Sequence, residues 1–365
     1  MKPFYPIAAL LATLLLPVLP TACGSADDDT PEPSDPIHTV IVAADGSGDH
    51  TSVQEAFDAL PVDNKPHIVR LRPGTYEEKV TLSSRHPYVT LIGDDAAKCI
   101  ITWDDYAGRP GDDGNKLGTS GCQTFLIEAN DFTASNVTIA NTYVNSQANT
   151  AVNSDTQAVA VQVKGDRAAF YGCRITGYQD TFYGRGTGRV YLRDCYVEGN
   201  VDFIFGSSTI LLDRCTLRMN RNNSVVTAPS TPADHRYGIV CTDCTISFPS
   251  SSEKDFDGAA FTYFHLGRPW KDAPRAVFLR CEEPAALKAE GWTKMSANPA
   301  LFAEYRCTGE GATAERLAQR ANGGRQLTDA EAAEYTVAKI FAKESATEYA
   351  IDWLPAETFT DPGRE

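Results

Sequence analysis

Several usual sources of catalytic power are missing from this chain of 365 residues. No G-x-S-x-G elbow is present to raise a serine nucleophile. The six histidines, His38, His50, His67, His86, His235 and His265, fall in no HxxxH or similar ligand spacing, which argues against a metal centre. Cys241 and Cys244 form a CxxC in a strand-like run, with no second CxxC or nearby histidine to complete a zinc site. Positive charge is scarce: 33 Lys and Arg face 48 Asp and Glu, for a formal charge of −15. Without a basic patch to release counterions, nucleic acid is not an expected partner. Beyond residue 19 no apolar run is long enough to span a membrane. No cofactor is expected. What is there is ample core material, with 42% hydrophobic and only 22% charged residues.

Residues 1–22 read as a signal peptide, with Lys2 as the positive start and Ile7 to Leu19 as the apolar core. Thr21 and Ala22 are small residues before Cys23. This ending, followed by GSADDDTPEPSDP, resembles a bacterial lipoprotein signal, in which Cys23 would be the lipidated mature N-terminus, although Pro20 stands where such signals usually carry Leu. Ordinary secretion, with Cys23 incidental, is the alternative. The expected location is a lipid-anchored protein at the bacterial cell envelope, or otherwise a secreted one, touching membrane only through the anchor. Residues 23–37 are acidic and Pro-rich, a flexible tether. Residues 38–365 show no further boundary and read as one domain.

The organising stretch runs from Gln157 to Phe205. Shifted by 22 it falls on itself: Gln157 on Gln179, Cys173 on Cys195, Asp180 on Asp202. A fixed period in the low twenties, built from short β-type runs, marks a solenoid. Runs such as HIVRLR, YVTLI, RAAFYGCRI, GRVYLRDCYV and TILLDRCTL are too short and β-branched for helices. The expected fold is all-β, a right-handed parallel β-helix. Ser52-Val-Gln-Glu55 predicts a capping box on a helix that closes the N-terminal end. Thr328-Asp-Ala-Glu331 predicts a second, opening a C-terminal helix to about Ala342. Segments 104–119 and 141–156 are polar, patternless and read as loops. Cys173, Cys195, Cys215 and Cys244 recur in similar settings, foremost a buried stack of small side chains. Neighbouring rungs lie within disulfide reach in an oxidising location, and Cys195–Cys215 is the candidate pair.

In a β-helix, equivalent residues of successive coils stack roughly 4.8 Å apart. Asp180 and Asp202 would then hold their carboxylates so close that one keeps a proton at neutral pH, an acid beside a nucleophile or base. Gln157 and Gln179 can donate amide hydrogens to an oxygen that gains charge in a transition state. Phe182, Tyr183, Phe203 and Phe205 supply aromatic faces suited to sugar rings. Spacing alone leaves a structural role equally open, since Asp and Gln at β-helix corners also bond turn backbone.

GYQDTFY, GNVDFIFG and HLGRPW, in that order, resemble the signature segments of the pectin methylesterase (pectinesterase) family. The resemblance extends from AADGSGDHTSVQEAFDALP to GWTKMS and RQLTDAEAAEYT, about residues 40 to 342, and those late segments look like the bacterial branch. It implies an esterase acting on the C6 methyl esters of homogalacturonan, as a monomer. Asp202 matches the family's nucleophile, Asp180 its general acid and base, Gln179 and Gln157 its oxyanion amides, and Arg268 the arginine paired with the nucleophile. That cation would keep Asp202 charged and leave the proton on Asp180. Trp270 matches a stacking tryptophan; Thr119, Phe205 and Met295 match substrate contacts, with Tyr183 a further aromatic candidate. Asp95 stands where the family usually has glycine, and Arg218 or Arg221 could correspond to further basic contacts. The competing readings are a β-helical glycosidase or lyase on the same polymer, since retaining glycosidases also use two carboxylates about 5 Å apart, and a catalytically silent pectin-binding surface protein.

Overall fold

The computed structural model describes residues 37–152, 154–344 and 349–363. The expected signal peptide, Cys23 and the tether as far as residue 36 lie outside the described residues.

Short strands wind into a parallel β-helix with three faces. One sheet has eleven strands and the other two have seven each, and every pairing between strands is parallel. Strands this short, rich in Val, Ile and Phe, bury one side of each coil and pair with the coils before and after it. The interior is continuous: Phe125, Phe132, Phe170 and Phe182 meet edge to face in sequence, with centroids 5.7 to 5.9 Å apart.

One corner repeats almost without change. At the ends of seven strands of the long sheet, one residue enters the left-handed region and the next points inward. Asn136, Gly172, Asp194, Arg214, Asp243, Arg280 and Arg306 take that conformation, with φ from 49° to 58°. They are followed by Val137, Cys173, Cys195, Cys215, Cys244, Cys281 and Cys307, all buried. A single left-handed residue turns the chain sharply, and Asn, Asp and Gly reach that region most readily.

The cysteine column is present, but the expected Cys195–Cys215 disulfide is not. Both are free thiols, as are the other seven cysteines among the described residues. Thiols in the column donate instead to carbonyls of the preceding coil: Cys195 to Phe170 O at 3.4 Å, Cys215 to Leu192 O at 3.5 Å, Cys244 to Leu212 O at 3.4 Å. Identical corners aim all the thiols the same way, so neighbours lie side by side. A disulfide needs Cβ atoms nearer 3.8 Å and a dihedral near 90°, which parallel side chains a strand spacing apart do not offer.

The N-terminal cap helix is Val53–Asp58, and Ser52 accepts from Glu55 N. The expected capping box is only half formed. A carboxylate from another coil caps the first turn instead: Glu78 accepts from Val53 N at 2.7 Å, Gln54 N at 3.0 Å and the Ser52 hydroxyl at 2.7 Å. The Thr328 box is complete, but the single helix expected from it is two short ones, Asp329–Ala332 and Val337–Ile340. Packing breaks it: the Tyr237 hydroxyl donates to Glu334 O at 2.8 Å and its ring meets Tyr335 edge-on. The 141–156 loop likewise contains a short exposed helix, Gln147–Val152.

Because the thiols are unbonded, a reductant should leave the melting temperature of the protein unchanged, while Cys195→Ala should cost about 1–2 kcal/mol by opening a small cavity in the column. A fall in melting temperature on reduction would restore the disulfide.

Candidate active site

The residues singled out by the 22-residue repeat meet at the turn between the two seven-stranded sheets. Gln157 precedes the strand Val161–Val163, Gln179 and Asp180 precede Phe182–Gly184, and Asp202 lies within Val201–Gly206. These strands are consecutive neighbours, so three coils contribute in order. Arg268 follows Phe264–Gly267, two coils further on, and reaches back past the intervening strand Ser224–Pro229.

Local backbone aims the two carboxylates. Asp180 and Asp202 both take left-handed conformations, with φ of 65° and 54°. Asp180 N donates to Val201 O at 3.0 Å, so the two kinks are locked in adjacent coils. Strain of this kind costs of order 1–3 kcal/mol and persists only where surrounding structure over-determines it. Behind the kinks the coils approach so closely that only glycine fits at position 199. A Cβ there would come within 2.3 Å of Phe203 Cβ and 2.8 Å of Tyr178 O.

Both aspartates are buried, 7% and 6% exposed. Arg268 grips Asp202 with two parallel bonds, Nε to Oδ1 at 2.7 Å and Nη2 to Oδ2 at 2.6 Å. Burial raises the pKa of both carboxyls. For Asp202 that rise is opposed by the hydrogen bond and charge of Arg268. For Asp180 it is reinforced by the charge of Asp202, and Arg268 only partly offsets it, so Asp180 stands well above the ordinary carboxyl range. The proton therefore favours Asp180 and the charge favours Asp202.

An aromatic wall flanks the carboxylates. Tyr183 and Phe205 stack with centroids 4.2 Å apart and an interplanar angle of 11°, and Trp270 leans on both at 6.4 and 5.7 Å. Phe205 is nearly fully buried, so Tyr183 and Trp270 present more of this wall than Phe205 does. Lys271 sits over the Trp270 ring at 4.5 Å. Thr119 lies beside the Gln157 coil: the Cys122 thiol contacts both Thr119 O at 3.4 Å and Gln157 O at 3.5 Å. Met295 is exposed and lines a cavity with Pro269 and Lys294, next to the loop that carries Arg268 and Trp270.

The remaining wall was not legible as such. Asp257 Oδ1 accepts from Gln147 N at 2.8 Å, and Phe256 meets Tyr178 edge-on. Arg221 braces the same loops, donating to Asn145 O at 3.4 Å. Arg218 donates to Ser247 at 3.1 Å. Among the described residues no group of three or more His, Cys, Asp or Glu could hold a metal ion. The arrangement provides a buried carboxylate held in its charged form, a neutral acid beside it, and amides on the same edge.

A family profile described as Pectinesterase matches residues 39–344. Pectinesterase 31 of Arabidopsis thaliana is 34% identical over 305 residues, covering 81% of this chain and 90% of its own length. Among solved structures, the pectin methylesterase of Erwinia chrysanthemi superposes with a TM-score of 0.73 at 30% identity, over 86% of this chain and 99% of that one. A pectin methylesterase in complex with a hexasaccharide gives 0.72 at 31% identity, over 85% and 98%.

Replacing Arg268 by Met removes the cation that favours charged Asp202, so the Asp202 pKa should rise further. Carbon NMR of labelled aspartate across a pH series reads this directly. An Asp202 resonance that titrates unchanged in the variant would contradict it.

Proposed function

This chain belongs to the pectinesterase family, and from that premise we propose that it hydrolyses the C6 methyl esters of homogalacturonan to pectate and methanol, with Asp202 as nucleophile and Asp180 as the proton carrier. The observation that carries the assignment is the two-pronged Arg268–Asp202 contact, with Asp180 buried on the adjacent coil.

The Asp202 carboxylate adds to the ester carbonyl, and the carbonyl oxygen becomes negative. Gln179 and Gln157 donate to that oxygen, a contribution worth about 10²–10³ in rate for a single well-placed donor. As the C–O bond to the methoxy group breaks, Asp180 delivers its proton and methanol leaves. An anhydride then joins Asp202 to the galacturonate carbonyl. Asp180, now ionised, takes a proton from water, whose oxygen attacks the anhydride. The product acid departs, Asp202 returns as carboxylate, and Asp180 is again protonated. Trp270 and Tyr183 supply aromatic surface for sugar rings, with Phe205 packed behind Tyr183; Thr119 and Met295 line the approaches on either side. The chain acts as a monomer in this reading.

The address is part of the proposal. Residues 1–22 with Cys23 support export as a lipoprotein of the bacterial envelope, and GWTKMS with RQLTDAEAAEYT support the bacterial form of the family. The acidic segment that follows Cys23 would tether the β-helix to the anchor. Cys23→Ser should then move the protein from the detergent-soluble membrane fraction to the aqueous one; equal partitioning of the two forms would remove the anchor.

Methanol release from highly methylated pectin tests the activity. Asp202→Asn and Asp180→Asn should each lower kcat by at least about 10³-fold, since residues acting as one unit fail together. Normal turnover in Asp202→Asn would sink the nucleophile assignment. Chain shortening or an unsaturated uronate product without methanol would favour a glycosidase or lyase instead.

A further inference from the structure

The oxyanion role of Gln179 depends on which end of its amide faces the groove, and the side chain alone does not decide this. A chain of buried amides does. Val201 N is a backbone donor and can only donate; it gives its hydrogen to Asn200 Oδ1 at 2.7 Å. Asn200 must therefore present Nδ2 to its other neighbours, and it donates to Asn145 Oδ1 at 3.1 Å and Asn220 Oδ1 at 3.0 Å. Asn220 is held in the matching sense, donating to Gly177 O at 2.8 Å. With its oxygen occupied, Asn145 turns Nδ2 toward Gln179 Oε1, at 3.5 Å. The Thr156 hydroxyl donates to the same oxygen at 3.1 Å.

Asn145, Thr156 and Asn200 are 1%, 1% and 0% exposed, so water does not compete for these groups. Each amide in the chain has a polarity set by the one before it, and flipping any of them would set like against like, acceptor against acceptor or, at Gln179, its Nε2 against Asn145 Nδ2, inside a buried site. Gln179 Oε1 is thus committed as acceptor, and Nε2 is left as the end that faces the substrate.

Resting on the esterase reading above, we propose that Thr156 and Asn145 are positioning residues that fix Gln179 as an oxyanion donor, with the sense of the amide set by Val201 N, one residue before the nucleophile. The same backbone that carries Asp202 thereby orients the group that stabilises the charge Asp202 creates. The 141–156 loop, unremarkable in sequence, contributes both positioning side chains.

Steady-state methanol release by four variants tests this. Thr156→Val and Asn145→Leu should each lower kcat about tenfold, part of the value of one oxyanion donor, with KM within about twofold. Thr156→Ser, which keeps the hydroxyl, should stay near the parent enzyme. In a Gln179→Ala background neither substitution should cause a further fall. Unchanged kcat in Thr156→Val, or the same loss with and without Gln179, would overturn the inference, since a purely structural role would act in both backgrounds. If Asn145→Leu does not fold, the Thr156 pair decides alone. A parent enzyme that releases no methanol would strike the esterase reading instead. The Gln179 side-chain amide resonances, shifted by Thr156→Val if the inference holds and unmoved if it fails, would then still decide the positioning.

Discussion

The contact between Arg268 and Asp202 is the constraint on which the site depends. A carboxylate 6% exposed would ordinarily pick up a proton rather than stay charged. Two parallel N–H donors at 2.6 and 2.7 Å make the charged form tolerable in that setting. Once Asp202 holds its charge, Asp180 is pushed to the neutral form. Two chemically identical side chains on adjacent coils become electrostatically different through one guanidinium reaching across an intervening strand. Removing the arginine would leave a buried charge uncompensated, which is why its loss bears on protonation first and on binding only second.

The β-helix is what makes such a pair possible. Its repeating corner needs one left-handed residue per coil, and stacking then superposes equivalent positions at strand spacing. At the opposite edge the same device appears twice more, at Asp180 and Asp202, where left-handed backbone turns carboxylates outward instead of thiols inward. The cysteine column and the aspartate pair are thus two uses of one geometry. In one the stacked groups are apolar enough to be buried together; in the other they are ionisable and must be differentiated.

The repeat of 22 was legible because it holds where the site is built. Ala168 pairs with Val190, Arg174 with Tyr196 and Phe182 with Ile204, each 22 apart. It does not hold throughout. Val161 pairs with Phe182, one residue short, because Ala160 N and Val161 N both donate to Thr181 O, a bulge that no residue pattern announces. The next coil contracts again, with Arg189 opposite Thr209. Sequence misled where an interaction was long-range: Glu78 supplies the cap expected from Glu55, and Tyr237 splits the helix expected after Thr328. The candidate disulfide fails on direction, because stacked thiols lie close but point the same way. Asn145, Thr156 and Asn200 left no signal, since a buried amide chain is assembled from three loops and turns with no common spacing.

The division of roles between Asp180 and Asp202 depends on where the shared proton resides. Neutron diffraction from deuterium-exchanged crystals of the unliganded protein at neutral pH would locate it directly. Deuterium on an Asp180 oxygen, with Asp202 bare between the two Arg268 donors, is the predicted result. Deuterium on Asp202, or neither carboxyl protonated, would contradict the division between acid and nucleophile.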